Sequence, residues 1–374
     1  MSHKANASFF DRKRPWSKRK DHILAYYLEP YLAKVARLER PILLVDGFAG
    51  PGKFDDGEIG SPLLLCAKAQ KAISRGARVK VLCIESDSRL CERLKCNLTG
   101  FDFADALCGR FLDHAPYLSQ CAASYTTFLY IDPWTVTGLD WSALDDVFRR
   151  IHDAGASVEL LLNFNAAAFV RHGLAALRRQ VPGVDPSSED CDEIDDACAS
   201  PPSTELLSRV IDGDQWRSIL GGEASFSQQV RSIADALCAR LRQRFAEVVR
   251  IAIKAHPDHL VPKYYLVFAS RHPDALKLMN DAMAKSRGES IFFADMFSHA
   301  DLERLILDLA SSWVCRGELI LNVMRRACST FTYSEIRGCV EALLKASRLE
   351  SVTGRSRIND SVCVRTKTTA VSGK

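Results

Sequence analysis

The sequence lacks several features, and each absence closes a class of function. No apolar run approaches the ~20 residues that a membrane-spanning helix needs. The opening MSHKANASFFDRKRPW has no apolar signal-peptide core, so the expectation is a cytoplasmic protein without a membrane partner. No Gly-Lys-Ser or Gly-Lys-Thr occurs, which excludes a phosphate-cradling P-loop. The 13 cysteines are odd in number and include no CxxC pair. Most of them, such as Cys66, Cys83, Cys238 and Cys339, sit inside apolar runs. They are expected to be reduced core thiols, with no metal site. The net charge of +4, left by 50 basic and 46 acidic side chains, is too small to prove a nucleic-acid partner, so its distribution matters. What is present is an ordinary chain of 374 residues, 47% hydrophobic, long enough for one large core and two domains.

The chain is organised around PILLVDGFAGPGKFDDGEIGSP, residues 41–62. Ile42 to Val45 has the length and branching of a buried parallel strand, and Asp46 falls at its C-terminal end, where open α/β sheets place ligands. Gly47, Gly50 and Gly52 let bare backbone approach a ligand. Ser61 and Pro62 then suit the N-cap and first turn of a helix reaching Ile73. Before this stretch, a basic arm with Lys13, Lys18, Arg19 and Lys20 leads into a helix with Ile23, Leu24, Tyr27, Leu28, Tyr31 and Leu32 at core-facing spacing. The arm either steers a polyanion or is a solvated lead-in.

Further along, Val79 to Ile84 is a second buried strand ending at Glu85. That acid either holds a ribose diol or caps the helix beginning near Ser88. A weak third strand is expected near Ala106 to Cys108. A clear fourth, Phe128 to Ile131, ends in Asp132-Pro133-Trp134. These three offer a carboxylate, a carbonyl without a competing N–H, and a flat ring, which suit a planar amine. In the alternative, Pro133 starts a loop and Trp134 fills core. Val158 to Phe164 is the fifth strand, with Asn163, Asn165 and, further on, Arg171 as candidate substrate contacts; either asparagine also suits a turn. The acidic stretch 182–204 has little that could pack and is expected to be a mobile insertion. Helical periodicity runs from Phe226 to Val249. Strands Val249 to Ile253 and Tyr264 to Ala269 then end the sheet in an antiparallel hairpin whose turn accounts for His256 and His259.

The tail changes character. Helical patterns at Leu302 to Leu309 and Leu319 to Ala327 precede a capped helix from Thr332 to Ala346. A ribbon follows, Leu349 to Val352 with Ser361 to Val364, and the whole resembles a winged helix-turn-helix. Arg337, Arg355 and Arg357 lie on the expected recognition helix and wing, where the positive balance concentrates. Such a domain contacts either nucleic acid or protein. Three domains result: a basic arm with its helix over 1–40, a Rossmann-type domain over 41–300, and a winged-helix-like domain over 301–374.

A strand-acid-glycine start, a second acid, an Asp-Pro-aromatic and a terminal hairpin point to an α/β sheet of class I methyltransferase type using S-adenosylmethionine. A nicotinamide enzyme would want its helix directly after the glycines, to meet a pyrophosphate. Here a loop delays that helix. The motifs VDGFAGPGKF, GSPLL, IES, YIDPW, LLNF and YYLVFASRHPDALKLM, with the tail, resemble the three-Cys-motif partner protein family. That family is encoded beside a radical-enzyme-like protein bearing three clustered cysteines. The resemblance implies a cofactor loop at Asp46, Phe48, Ala49, Gly50 and Gly52 and a catalytic motif at Asp132, Pro133 and Trp134. This chain has Trp134 and Thr135 where Asp-Pro-Phe-Gly is commoner. Asp-Pro-aromatic is also similar to the motif of enzymes that methylate exocyclic amines of nucleic-acid bases, and such a methyltransferase is the expected function, with DNA or RNA as partner. Two alternatives are a recognition subunit serving the radical-enzyme-like partner and a transcription-factor-like use of the tail.

Overall fold

The computed structural model describes residues 10–179, 203–256, 258–286 and 298–367. By its contacts the chain divides into two compact units, Met1–Arg271 and His272–Lys374.

The first unit is built on one seven-stranded sheet. Its strands are β1 (Ile42–Asp46), β2 (Val79–Glu85), β3 (Ala104–Cys108), β4 (Thr126–Ile131), β5 (Val158–Phe164), β6 (Glu247–Ile253) and β7 (Tyr264–Ser270). They lie in the order β3-β2-β1-β4-β5-β7-β6. The first five are parallel, whereas β7 runs antiparallel to both β5 and β6. This is the mixed sheet of class I methyltransferase type that the sequence led us to expect. Strands β1, β4, β5 and β7 are buried at every position. That explains why they read as continuous aliphatic and aromatic runs without alternation.

Helices cover both faces: α1 (Pro15–Val35), α2 (Ser61–Ile73), α3 (Ser88–Leu98), α4 (Phe111–Ala122), α5 (Trp141–Asp153), α6 (Ala166–Ala176), α7 (Thr204–Ile211), α8 (Gln215–Gly221) and α9 (Phe226–Leu241). Pro15 opens α1, where a missing N–H costs nothing. The helix buries Ile23, Leu24, Tyr27, Leu28, Tyr31 and Leu32. The Tyr27 ring stacks on Tyr31 at 5.5 Å and meets Phe128 and Phe268 of the sheet at 5.5 and 5.3 Å. Its hydroxyl donates to the buried Glu159.

Several expectations are corrected. The periodic run from Phe226 ends at Leu241, because the chain turns there to bury Phe245, and β6 starts at Glu247. Gly60, not Ser61, is the N-cap of α2, and the cap of α3 is Asp87, which accepts from the Arg89 and Leu90 amides. The cysteines are not all thiols: Cys91 and Cys108 form a disulfide across a Cα separation of 5.7 Å. The register pairs Glu85 with Cys108, so the end of β3 lies beside the start of α3. Linear spacing does not show that neighbourhood. Finally, Lys13, Arg19 and Lys20 are buried, so the basic lead-in is neither solvated nor open to a polyanion at those positions. The acidic insertion expected at 182–204 lies almost wholly outside the described residues; Ser203, at its end, caps α7.

In the second unit, α10 (Pro273–Ser286) is followed by α11 (His299–Leu309), β8 (Val314–Cys315), α12 (Arg316–Arg326), α13 (Tyr333–Lys345), β9 (Leu349–Ser351) and β10 (Cys363–Thr366). The strands form an antiparallel sheet in the order β8-β10-β9. Helix α13 starts with a capping box between Thr332 and Glu335, as S/T-x-x-E patterns specify. Helix α10 is tied in by Asn280, which donates to the Phe331 carbonyl at 2.8 Å and accepts from the Ser329 amide at 3.1 Å. Among the described residues no helix is long and apolar enough to cross a membrane.

Candidate active site

Parallel strands deliver Asp46, Glu85 and Asp132 to one edge of the sheet, because Asp46 and Glu85 end β1 and β2 and Asp132 directly follows β4. At the end of β1 the chain turns sharply. The Gly47 amide donates to the Tyr130 carbonyl at 2.9 Å, and the Ala49 amide to the Ile84 carbonyl at 2.9 Å. The loop is thus pinned across two neighbouring strands. Gly50 has φ +62°, a conformation that side-chain-bearing residues rarely adopt. Its amide donates to Glu85 Oε2 at 2.8 Å, while Glu85 Oε1 accepts from the Asp87 amide at 2.7 Å. Glu85 therefore organises the glycine loop, and capping of α3 falls to its neighbour. Oε1 also accepts from the Ser86 hydroxyl at 3.4 Å, so Oε2, with the Gly50 amide as its donor, is the oxygen that can still take a ribose hydroxyl.

Asp46 is 0% exposed. Its Oδ1 accepts from the Phe48 amide at 3.2 Å. Its Oδ2 is buried and has no hydrogen-bond partner among the described residues. Burial pushes the carboxyl up to about 7, and the carboxylates of Asp132 and Asp21 add to that; Ser61 and the Phe48 amide pull the other way, the hydroxyl without completing a bond to Oδ2. A buried acid with an undonated oxygen is costly unless a cation or a donor completes it. The residues thus fit the ammonium or sulfonium of the expected cofactor. The space is shared: an added Cβ on Gly50 would lie 2.9 Å from the Phe10 ring, so the N-terminal segment presses directly on the loop.

Asp132 is the opposite case. Its Oδ1 accepts from Asn163 Nδ2 at 2.6 Å, and its Oδ2 accepts from the Tyr130 hydroxyl at 3.1 Å and from the Lys20 ammonium. The Lys20 side chain is 9% exposed and that of Asp132 22%. Lys20 Nζ also stands 5.1 Å from the centroid of the Tyr264 ring. Asn163 keeps its own Oδ1 buried and, among the described residues, without a donor. Burial near Asp132 holds the Tyr130 and Tyr264 hydroxyls well above their ordinary range, so both stay protonated donors. The two loops meet at Gly138, where an added Cβ would lie 3.1 Å from Phe48 Cε1 and 3.2 Å from Pro133 Cβ.

Lys20 is the residue that sequence reasoning missed, and a closely packed segment holds it there. Asp55 donates its amide to the Phe10 carbonyl at 2.8 Å. Lys13 reaches the Ile59 carbonyl at 2.6 Å and Asp21 at 2.5 Å. Lys18 pairs with Glu58 at 2.7 Å, and the Tyr264 hydroxyl donates to the Trp16 carbonyl at 2.8 Å. The basic run beside a loop rich in acids, DDGE at 55–58, was the available signal.

The structure does not gather every candidate here. Asn165 is the N-cap of α6, accepting from the Ala168 amide at 2.9 Å, so it serves the turn. Arg171, on the same helix, sits 5.8 Å from the Phe226 ring at the start of α9. In the second unit Arg337 pairs with Glu341 one turn on at 3.1 Å. Arg355 and Arg357 are exposed on the connection between β9 and β10. Gly52, at φ +79°, accepts the Gly60 amide on its carbonyl at 2.8 Å, closing the loop that delays α2.

A comparison with protein-family models found no match, and a comparison with curated proteins found none either. Solved structures do match. Spermidine synthase from Thermotoga maritima superposes with a TM-score of 0.33 at 12% identity, over 75% of this chain and 69% of that one. PKMT2 from Rickettsia typhi gives 0.31 at 8% identity, over 85% and 73%. The plantazolicin methyltransferase BamL, in complex with a triazolic desmethylPZN analog and SAH, gives 0.29 at 11% identity, over 71% and 90%. Superpositions this loose decide nothing about the site; the fold assignment rests on the strand order itself.

Proposed function

We propose that the chain is an S-adenosylmethionine-dependent N-methyltransferase acting on an exocyclic amine of a nucleic-acid base. The observation that carries the proposal is Asp46, buried at the end of β1 with one oxygen undonated, beside a positive-φ glycine whose amide is held by Glu85. Asp46 would take the cationic end of the cofactor and Glu85 its ribose. When bound, the cofactor supplies an electrophilic methyl group. Asp132, the Pro133 carbonyl and the undonated Asn163 Oδ1 would accept the hydrogens of the target amine, with Trp134 against its face. The amine would take the place of the Lys20 ammonium at Asp132. No strong base is needed if nitrogen attacks first and loses its proton afterwards. A winged-helix reading of the second unit, with Arg355 and Arg357 exposed on the wing, supports a polymer partner.

The test is transfer of labelled methyl to DNA or RNA. Label on a base nitrogen, with transfer down about 100-fold in Asp132→Asn and binding of S-adenosylhomocysteine nearly unchanged, is the expected result. Undiminished transfer by that variant would remove Asp132 from its assigned role. A second reading is favoured by the fact that both Asp132 oxygens already have donors. It makes the chain a recognition subunit for a radical-enzyme-like partner with three clustered cysteines. Co-purification of such a partner with no transfer by the chain alone would select it.

A further inference from the structure

We propose that Lys20 is itself a methyl acceptor, so that the chain modifies its own N-terminal helix. This rests on reading the site as an N-methyltransferase. The position assigned to the target amine, at the carboxylate of Asp132, is the position where the Lys20 nitrogen lies. The surroundings suit an alkylamine. A carboxylate fixed by Asn163 on one oxygen and Tyr130 on the other faces the nitrogen, and the Tyr264 ring stands 5.1 Å from it. The undonated Asn163 Oδ1 provides a second acceptor in the same cluster.

The methyl source would be close. Strands β1 and β4 are adjacent, with Asp46 in register with Tyr130, and neighbouring strands lie about 4.8 Å apart. Asp132 is only two residues beyond Tyr130. The same segment that carries Lys20 places the Phe10 ring against Gly50. One piece of chain therefore reaches both the cofactor loop and the acceptor position.

In the reaction, the Lys20 ammonium gives one proton to the Asp132 carboxylate and becomes a neutral amine. Its lone pair forms a nitrogen–carbon bond to the methyl group of S-adenosylmethionine. The carbon–sulfur bond breaks and its electrons neutralise the sulfonium, leaving S-adenosylhomocysteine. Lys20 becomes a methylammonium, and Asp132 releases its proton to water. A methylated Lys20 keeps its charge and so keeps its partner, although its hydrogen-bonding capacity falls.

The experiment uses the full chain and S-adenosylmethionine carrying a deuterated methyl group, read by peptide mass spectrometry, with S-adenosylhomocysteine binding measured in parallel. The expected result is label on Lys20, at a rate independent of protein concentration, that falls to background in Asp132→Asn. Lys20→Arg should lose the label while still binding S-adenosylhomocysteine. Binding without label on Lys20, or a rate that rises with protein concentration, would overturn cis modification and leave the cofactor reading standing. Absence of binding would overturn both.

Discussion

Asp46 ends β1 and Asp132 follows β4, neighbouring parallel strands of one sheet, yet their surroundings are opposite. Asp46 is buried with an undonated oxygen and its carboxyl is pushed up to about 7. Asp132 is less buried and already holds a lysine, a tyrosine and an asparagine. Strand geometry alone therefore places an acid at a site edge but does not set its partners. What sets them is whether a remote segment brings a cation, and here α1 brings one to Asp132 and, among the described residues, none to Oδ2 of Asp46.

The sharpest way to break this contrast is to remove each acid in turn. Asp132→Ala strips Lys20 of its counterion and Asn163 of its acceptor, and should cost about 3 kcal/mol of stability, as breaking a partly buried pair does. Chemical denaturation measures it; a neutral outcome would mean that the pair is solvated. Removing the disulfide with Cys91→Ser and Cys108→Ser should cost about 3 kcal/mol, since it closes a loop of 17 residues. That change leaves both acids in place and so controls for general loosening of the sheet edge.

Asp46→Asn should do the reverse of Asp132→Ala. A carboxyl whose folded pKa of about 7 exceeds its ordinary 3.8 is protonated when folded and ionised when unfolded across that window. Wild-type stability should then fall as pH rises from 4 to 7 and level off above. The amide variant removes this loss, so its stability should gain a few kcal/mol on wild type between pH 4 and pH 8, whatever fixed cost an imperfectly bonded amide adds at both. Glu159, also raised to about 7 by burial, adds the same slope to both proteins and cancels in the difference. The smallest effect concerns the second unit: Arg355→Ala with Arg357→Ala should weaken nucleic-acid binding a few-fold and flatten its salt dependence.

Strands β1, β2 and β4 were legible because they are buried almost throughout and run into an acid, whereas β3, partly exposed, read only weakly. The glycine loop was legible for a related reason: its work is done by backbone, so Gly50 and Asp46 announce themselves locally. The acceptor half was not. Asp132 was visible, but Lys20 reaches it across 112 residues of sequence, and nothing local distinguishes Lys20 from Lys18, which faces solvent beside Glu58. The Cys91–Cys108 bond was hidden likewise, since it depends on which strands are neighbours. For Asn165 the sequence left ligand contact and turn open, because a strand-end amide serves either, and the structure shows it capping α6.

The central claim is that Asp46 awaits a cation, and calorimetric titration with S-adenosylmethionine in buffers of different ionisation enthalpy tests it most directly. The account predicts binding that releases about one proton per cofactor at pH 6, falling toward none above pH 8, and that weakens at least about tenfold in Asp46→Ala. Absence of binding, or equal affinity in Asp46→Ala with no proton released, would contradict it.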